Sequence, residues 1–122
     1  MKSLEKNEIY KRTYSFAIDV IKIYRELKEN NNEYALFEQF LRSGTSIGAN
    51  TREALAGQSK RDFIAKLSIA LKEANETDYW LKLFVDSDIL DEKRVEDYLE
   101  KLKIIIKMIT KIINTTKRNM KR

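Results

Sequence analysis

The sequence predicts an all-α protein, an antiparallel up-down four-helix bundle, and three observations carry that prediction. The 122 residues contain no proline and only 3 glycines, so a helix has few places to break. Apolar residues recur at three- and four-residue steps through most of the chain, the spacing that lines one face of a helix. Short polar or glycine breaks interrupt that rhythm near Asn30, Gly57 and Asp86. Connections that short join antiparallel neighbours. No turn-bounded strand pattern is present, which excludes a parallel sheet. The length and the single pattern predict one domain over residues 1–122, with a basic tail at about 117–122.

The first helix is expected from about Asn7 to Glu29. Ile9, Phe16, Val20, Ile23 and Leu27 form one apolar row, and Tyr10, Tyr14, Ala17, Ile21 and Tyr24 form a second beside it. Asn30 to Asn32 form the loop. The second helix starts near Glu33 with Leu36, Phe37, Phe40 and Leu41, and then meets Gly44 and Gly48, four residues apart. Small residues at one-turn spacing let a partner backbone come close, so the helix is expected to continue to about Ala56 and to stop at a Gly57 cap. Ser59 opens the third helix with Asp62 three residues on, a capping-box-like pair. Its seam is Phe63, Leu67, Ala70, Ala74, Thr77, Leu81 and Phe84, and Asp86, Ser87 and Asp88 end it. Asp91 is the expected N-cap of the fourth helix, with Glu92 in the first turn and a seam of Val95, Tyr98, Leu102, Ile105, Ile109, Ile112 and Thr116. Ile104, Ile106, Met108 and Ile113 add apolar surface outside that seam. The extra apolar rows on the first and fourth helices predict a homo-oligomer.

Composition removes several functions. Gly44-Thr45-Ser46-Ile47-Gly48 matches G-x-S-x-G, but the nucleophile elbow needs a strand before the serine and a histidine to take its proton. The chain has 0 His and 0 Cys. Neither a Ser-His nor a Cys-His pair can be assembled, and no zinc site, other metal or cofactor is expected. A non-enzymatic protein is predicted, with Ser46 inside a helix and its hydroxyl bonded one turn back. No apolar run is long enough to span a bilayer, and "MKSLEKNEIYKR" lacks the apolar segment of a secretion signal, so a cytoplasmic location and no membrane partner are expected. Two N-x-T sequons, at Asn75 and Asn114, fall in predicted helices and are read as chance matches.

On the second helix Ser43, Ser46, Asn50, Glu53 and Gly57 make one small and polar face, with Glu73, Glu76 and Thr77 on nearby turns of the third. The simplest reading is a hydrogen-bond network that sets helix register; a ligand pocket is the sharper one. The stretches "SIGANTREA" and "SKRDFIAKLSIALKEANETDYWLKLF" resemble the bacterial four-helix-bundle family encoded in intervening sequences of 23S ribosomal RNA genes. Ser46, Ile47, Asn50 and Glu53 match its Ser-Ile-x-x-Asn-x-x-Glu run, and Ser59, Phe63, Leu67, Ala70 and Glu76 match the run that follows. One departure is Ala54, where many relatives have glycine directly after the Glu. The resemblance implies an antiparallel bundle that assembles as a homopentamer with a central channel. It also implies a nucleic-acid role, since a related branch, the accessory variability proteins of diversity-generating retroelements, binds a reverse transcriptase and nucleic acid.

The net charge of +5 is unevenly spread. Residues 101–122 hold 8 Lys and Arg and no Asp or Glu, whereas residues 61–100 hold 6 basic and 11 acidic residues. Lys103, Lys107 and Lys111 step along one helix face, and Lys117, Arg118, Lys121 and Arg122 follow. These seven, extended by Lys60 and Arg61, are the candidate phosphate-contacting surface for structured RNA or other nucleic acid; a solvated helix face is the plain alternative. No aromatic platform interleaves them, so base-stacking recognition is not expected. A second functional reading is a scaffold or accessory subunit whose client is a protein, such as a reverse transcriptase, with no direct nucleic-acid role.

Overall fold

The computed structural model describes residues 7–121. They form four helices, α1 (Glu8–Asn30), α2 (Tyr34–Leu55), α3 (Lys60–Asp86) and α4 (Glu92–Met120), with no strand among the described residues. Each helix packs on the next, and α1 also touches α4, as in a four-helix bundle. Among the described residues no helix is long and apolar enough to cross a membrane. Arg122 lies outside the described residues.

The core follows the heptad rows. α1 buries Ile9, Phe16, Val20, Ile23 and Leu27, with Thr13 filling the gap between Ile9 and Phe16. α3 buries Leu67, Ala70, Ala74, Thr77, Leu81 and Phe84, while Phe63 near the helix start is half-buried. Phe84 sits at the centre of an aromatic cluster, edge-on to Phe37 at 5.6 Å and Phe40 at 5.7 Å and stacked with Trp80 at 6.4 Å. Such pairs add about 0.5–1.5 kcal/mol to what burial alone supplies. On α4 the expected seam needs correcting at its C-terminal end. Ile113 is buried and Ile112 only half-buried, because a helix with 3.6 residues per turn drifts off a strict 3.5-residue repeat. Tyr98 and Thr116 are half-buried too.

α1 and α2 come unusually close, and glycine is the reason. A β-carbon at Gly44 would lie 2.6 and 2.7 Å from the two γ-carbons of Val20, and one at Gly48 would lie 3.2 Å from the backbone oxygen of Thr13. Helix α2 runs unbroken through both glycines, as expected from their spacing. The intrinsic cost of each glycine in a helix, about 1 kcal/mol, is offset by the packing that this approach allows.

Capping explains where the helices begin and end. Asn7 Oδ1 accepts from Tyr10 N–H at 3.1 Å, and Ser59 Oγ accepts from Asp62 N–H at 3.1 Å. Asp91 occupies the N-cap position of α4, but its side chain makes no cap bond. The expected left-handed cap at Gly57 is not formed. Ala56 ends α2 in a right-handed conformation, and Gly57 has no positive φ. A β-carbon at Gly57 would meet the Asp62 carboxylate, the free end of a flexible side chain that can move aside. The left-handed cap occurs after α3, at Asp88, with φ 61°. Ile89 N–H donates to Phe84 O at 2.8 Å and Asp88 N–H to Val85 O at 3.1 Å, the two bonds of a Schellman motif.

Two stability predictions follow from these backbones. Gly44→Ala crowds Val20, a stiff β-branched side chain, and its overpacking cost of about 1–3 kcal/mol exceeds the helix-propensity gain of about 1 kcal/mol; a lowered urea midpoint checks it. Asp88→Gly relieves a left-handed non-glycine residue and raises the stability by about 0.5–1 kcal/mol, read as a higher midpoint in the same titration.

Candidate nucleic-acid interface

α4 presents its apolar residues inward and its lysines outward. Lys103, Lys107 and Lys111 are all exposed, and their four-residue spacing places them in one row. Lys107, Lys111 and Arg118 border a shallow depression floored by Ile106, Thr110, Asn114 and Thr115. Lys117 and Lys121 are exposed near the end of the helix. None of these six enters an ion pair among the described residues. Lys60 and Arg61 stand exposed in the first turn of α3, directly after the Ser59 cap.

Lys101, which contributes to the same basic segment, is engaged elsewhere. Its ammonium lies 3.3 Å from Asp19 of α1 and 3.3 Å from Asp97. These carboxylates, Asp19 foremost, hold the Lys101 ammonium above the usual lysine value. Tyr98 lies between this lysine and Arg94, with the two cations 5.5 and 5.2 Å from its ring. Tyr98 is the one aromatic residue of α4, so the lysine row has no stacking platform on its own helix.

The N-terminal half of the outer α4 stripe has the opposite sign. Glu92, Glu96, Glu100, Leu99 and Ile106 line a groove against α3, shared with Lys103 and Lys107. The fields of Lys103 and Lys107 are therefore partly offset on that side, whereas no carboxylate lines the depression that Lys107 shares with Lys111 and Arg118.

The polar face of α2 and α3 is a second constellation, and most of its bonds stay within one helix. Ser46 Oγ donates to Arg42 O at 2.6 Å, and Asn50 Nδ2 donates to Ser46 O at 2.9 Å. Thr51 bonds Ile47 O in the same way. The bonds between helices are made by other residues. Buried Thr77 donates its hydroxyl to buried Ser43 at 2.9 Å. Arg42 reaches from α2 to Glu73 at 2.9 Å and to Glu76 on α3. Glu53 is exposed and makes no hydrogen bond among the described residues. Arg42 was not singled out in the sequence, although it lies one turn before Ser46 and opposite the Glu73/Glu76 pair that was.

Arg42 holds two carboxylates together, and Glu73 is the more covered of them. Arg42→Met is expected to lower stability by about 1 kcal/mol, since a network with a partly buried member exceeds an isolated surface pair. Adding Glu73→Gln should recover part of that loss by removing the stranded repulsion; thermal melts of the single and double variants check both signs.

The comparisons with known proteins accord with this geometry. The family model described as 23S rRNA-intervening sequence protein matches residues 5–111. Among solved structures, a protein of unknown function from the S23 ribosomal protein family of Bacteroides thetaiotaomicron shares 42% identity, with a TM-score of 0.84. That match covers 86% of this chain and 97% of the other. No curated protein matches the sequence. The motif residues Ser46, Asn50, Glu53, Ser59, Phe63 and Glu76 all fall within the matched span, and on these grounds the chain belongs to the 23S rRNA-intervening sequence protein family.

Proposed function

We propose that this chain is a non-enzymatic, antiparallel up-down four-helix bundle that assembles as a homopentamer and binds structured RNA through the C-terminal half of α4. The observation that carries the RNA reading is the run of exposed Lys103, Lys107, Lys111, Lys117, Arg118 and Lys121, none in an ion pair among the described residues, in a segment with no acidic residue. Cations so placed neutralise phosphates, and no carboxylate lines the depression bordered by Lys107, Lys111 and Arg118. The lack of an aromatic platform on α4 supports contacts to backbone and shape rather than to bases.

Several contacts support the antiparallel order. Glu26 meets Arg94 and Asp19 meets Lys101, so residues later in α1 face residues earlier in α4. The loop lengths agree. In that arrangement Lys60 and Arg61 lie at the same end as Lys117 and Arg118 and extend the basic surface. Oligomerisation is supported by the second apolar row of α1, where Tyr14 is 56% and the adjoining Ile18 43% exposed. A homopentamer repeats the basic surface five times and adds avidity. The non-enzymatic reading is supported by Ser46, whose hydroxyl is spent on a carbonyl of its own helix. The exposed Tyr14 and Ile18 also favour a second reading, an accessory subunit that docks a protein client.

The RNA reading is tested by fluorescence anisotropy with a structured ribosomal RNA fragment across a salt series. Binding is expected to weaken with salt, and changing Lys103, Lys107 and Lys111 together to Glu should weaken it further and flatten the log–log salt slope by about one per lysine. Absence of binding at ~50 mM salt, where phosphate contacts are strongest, would sink the reading.

A further inference from the structure

The outer stripe of α4 carries two charge blocks of opposite sign. Glu92, Glu96 and Glu100 are followed by Lys103, Lys107 and Lys111, all exposed and none in an ion pair among the described residues. Within each block like charges stand four residues apart, an arrangement that disfavours an isolated helix by about 0.2–0.5 kcal/mol per pair. Interleaving the same six residues would turn each repulsion into an attraction. The helix dipole does not account for the segregation, because it favours acids and bases only in the first and last turns. Glu100 and Lys103 lie more than two turns inside a helix of 29 residues. Within one chain the blocks offset each other only where they meet, at Glu100 and Lys103. Glu96 and Lys107 are separated by about 16 Å of helix, far beyond ion-pair distance.

The blocks are antisymmetric about one point. Glu100 and Lys103, Glu96 and Lys107, and Glu92 and Lys111 are each equally spaced around the middle of the stripe. The half-buried side chains of Leu99 and Ile106 flank that middle and line the groove. On the α3 wall, Asp78 and Lys82 neutralise each other at 3.0 Å and leave the groove's sign to α4.

We infer that this stripe is a docking surface for the α4 of a second copy of the chain, laid antiparallel across a two-fold axis near Leu102. In that arrangement every glutamate faces a lysine of the other copy. A parallel pairing sets like against like. A two-fold contact uses the same patch on both partners, which is what an antisymmetric stripe supplies. The contact is electrostatic at its rim and apolar only at its centre, so it is weak and salt-sensitive. It is separate from any ring contact and pairs two copies of whatever assembly the other faces build. It goes beyond the RNA reading, and it covers the same Lys103, Lys107 and Lys111. Self-pairing and RNA therefore exclude each other on this stripe.

The test is sedimentation velocity at ~50 mM salt, where exposed charges are weakly screened. One variant combines Glu92→Lys, Glu96→Lys and Glu100→Lys; another combines Lys103→Glu, Lys107→Glu and Lys111→Glu; a third carries all six changes. Wild type is expected to have twice the mass of either triple variant. Mixing the two triple variants should restore the doubled mass, and so should the sixfold variant, which also serves as the control for folding. Equal masses for wild type and the triple variants, or a mixture that stays at the smaller mass, overturns the inference. RNA titration of the same variants separates the two ideas. Undiminished RNA binding by the all-glutamate variant counts against the RNA reading alone, while mass doubling is judged without RNA.

Discussion

Two helix backbones can approach closely only where a side chain is missing between them, and Gly44 and Gly48 create that place on α2. Val20 and Thr13 of α1 occupy the space where β-carbons would stand. This contact fixes how α2 is rotated about its own axis. With the glycines against α1, Phe37, Phe40, Ile47 and Ala54 turn into the core and Ser43 turns toward α3. The aromatic cluster around Phe84 then has one arrangement that fills it. Arg42, next to Ser43, is brought over Glu73 and Glu76. The polar seam between α2 and α3 is thus a consequence of the close seam between α1 and α2.

That order of dependence separates the two constellations by role. The residues that match the family motif on α2 and α3 bond mainly within their own helices: Ser46 and Asn50 close back on their own turn and Ser59 caps, while Glu76 pairs with Arg42 of α2 and Phe63 packs against the core. The polar bonds that cross between α2 and α3 come from Ser43 with Thr77 and from Arg42 with Glu73 and Glu76. Lys103, Lys107, Lys111, Lys117 and Lys121 of α4 are exposed and make no side-chain bond among the described residues, and Arg118 reaches only Thr115 on its own helix. Their side chains remain free for a phosphate or for another chain.

The exposed face of α1 completes the division. Its inner row is wholly in the core, and its outer row leaves Tyr14 and Ile18 in contact with solvent. A bundle needs one apolar stripe per helix for its own core. The surplus stripe on α1 and the charged stripe on α4 differ in chemistry, which suits them to different contacts: one apolar and lasting, the other electrostatic and tuned by salt.

Much of this was legible in the residues themselves. The four helices, the Ser59 cap, the Asp86–Asp88 end, the unbroken run through Gly44 and Gly48 and nearly all of the core were set by local rules, since periodicity and capping depend on residues within a few turns. The errors lie where a small angular drift accumulates or where backbone conformation decides. Ile113 replaces Ile112 because the seam rotates along a long helix. Gly57 does not take the left-handed conformation of a glycine cap, which the chain adopts at Asp88 instead. The basic segment was visible as composition, but Lys101 also pairs with Asp19, and only the packing of α1 on α4 decides that. The clamp of Arg42 on Glu73 and Glu76, more than thirty residues away, was likewise decided by tertiary structure. Sequence spacing determines which side chains share a face; which face meets which neighbour depends on how the helices rotate and approach, and here glycines on one helix settle that for the rest.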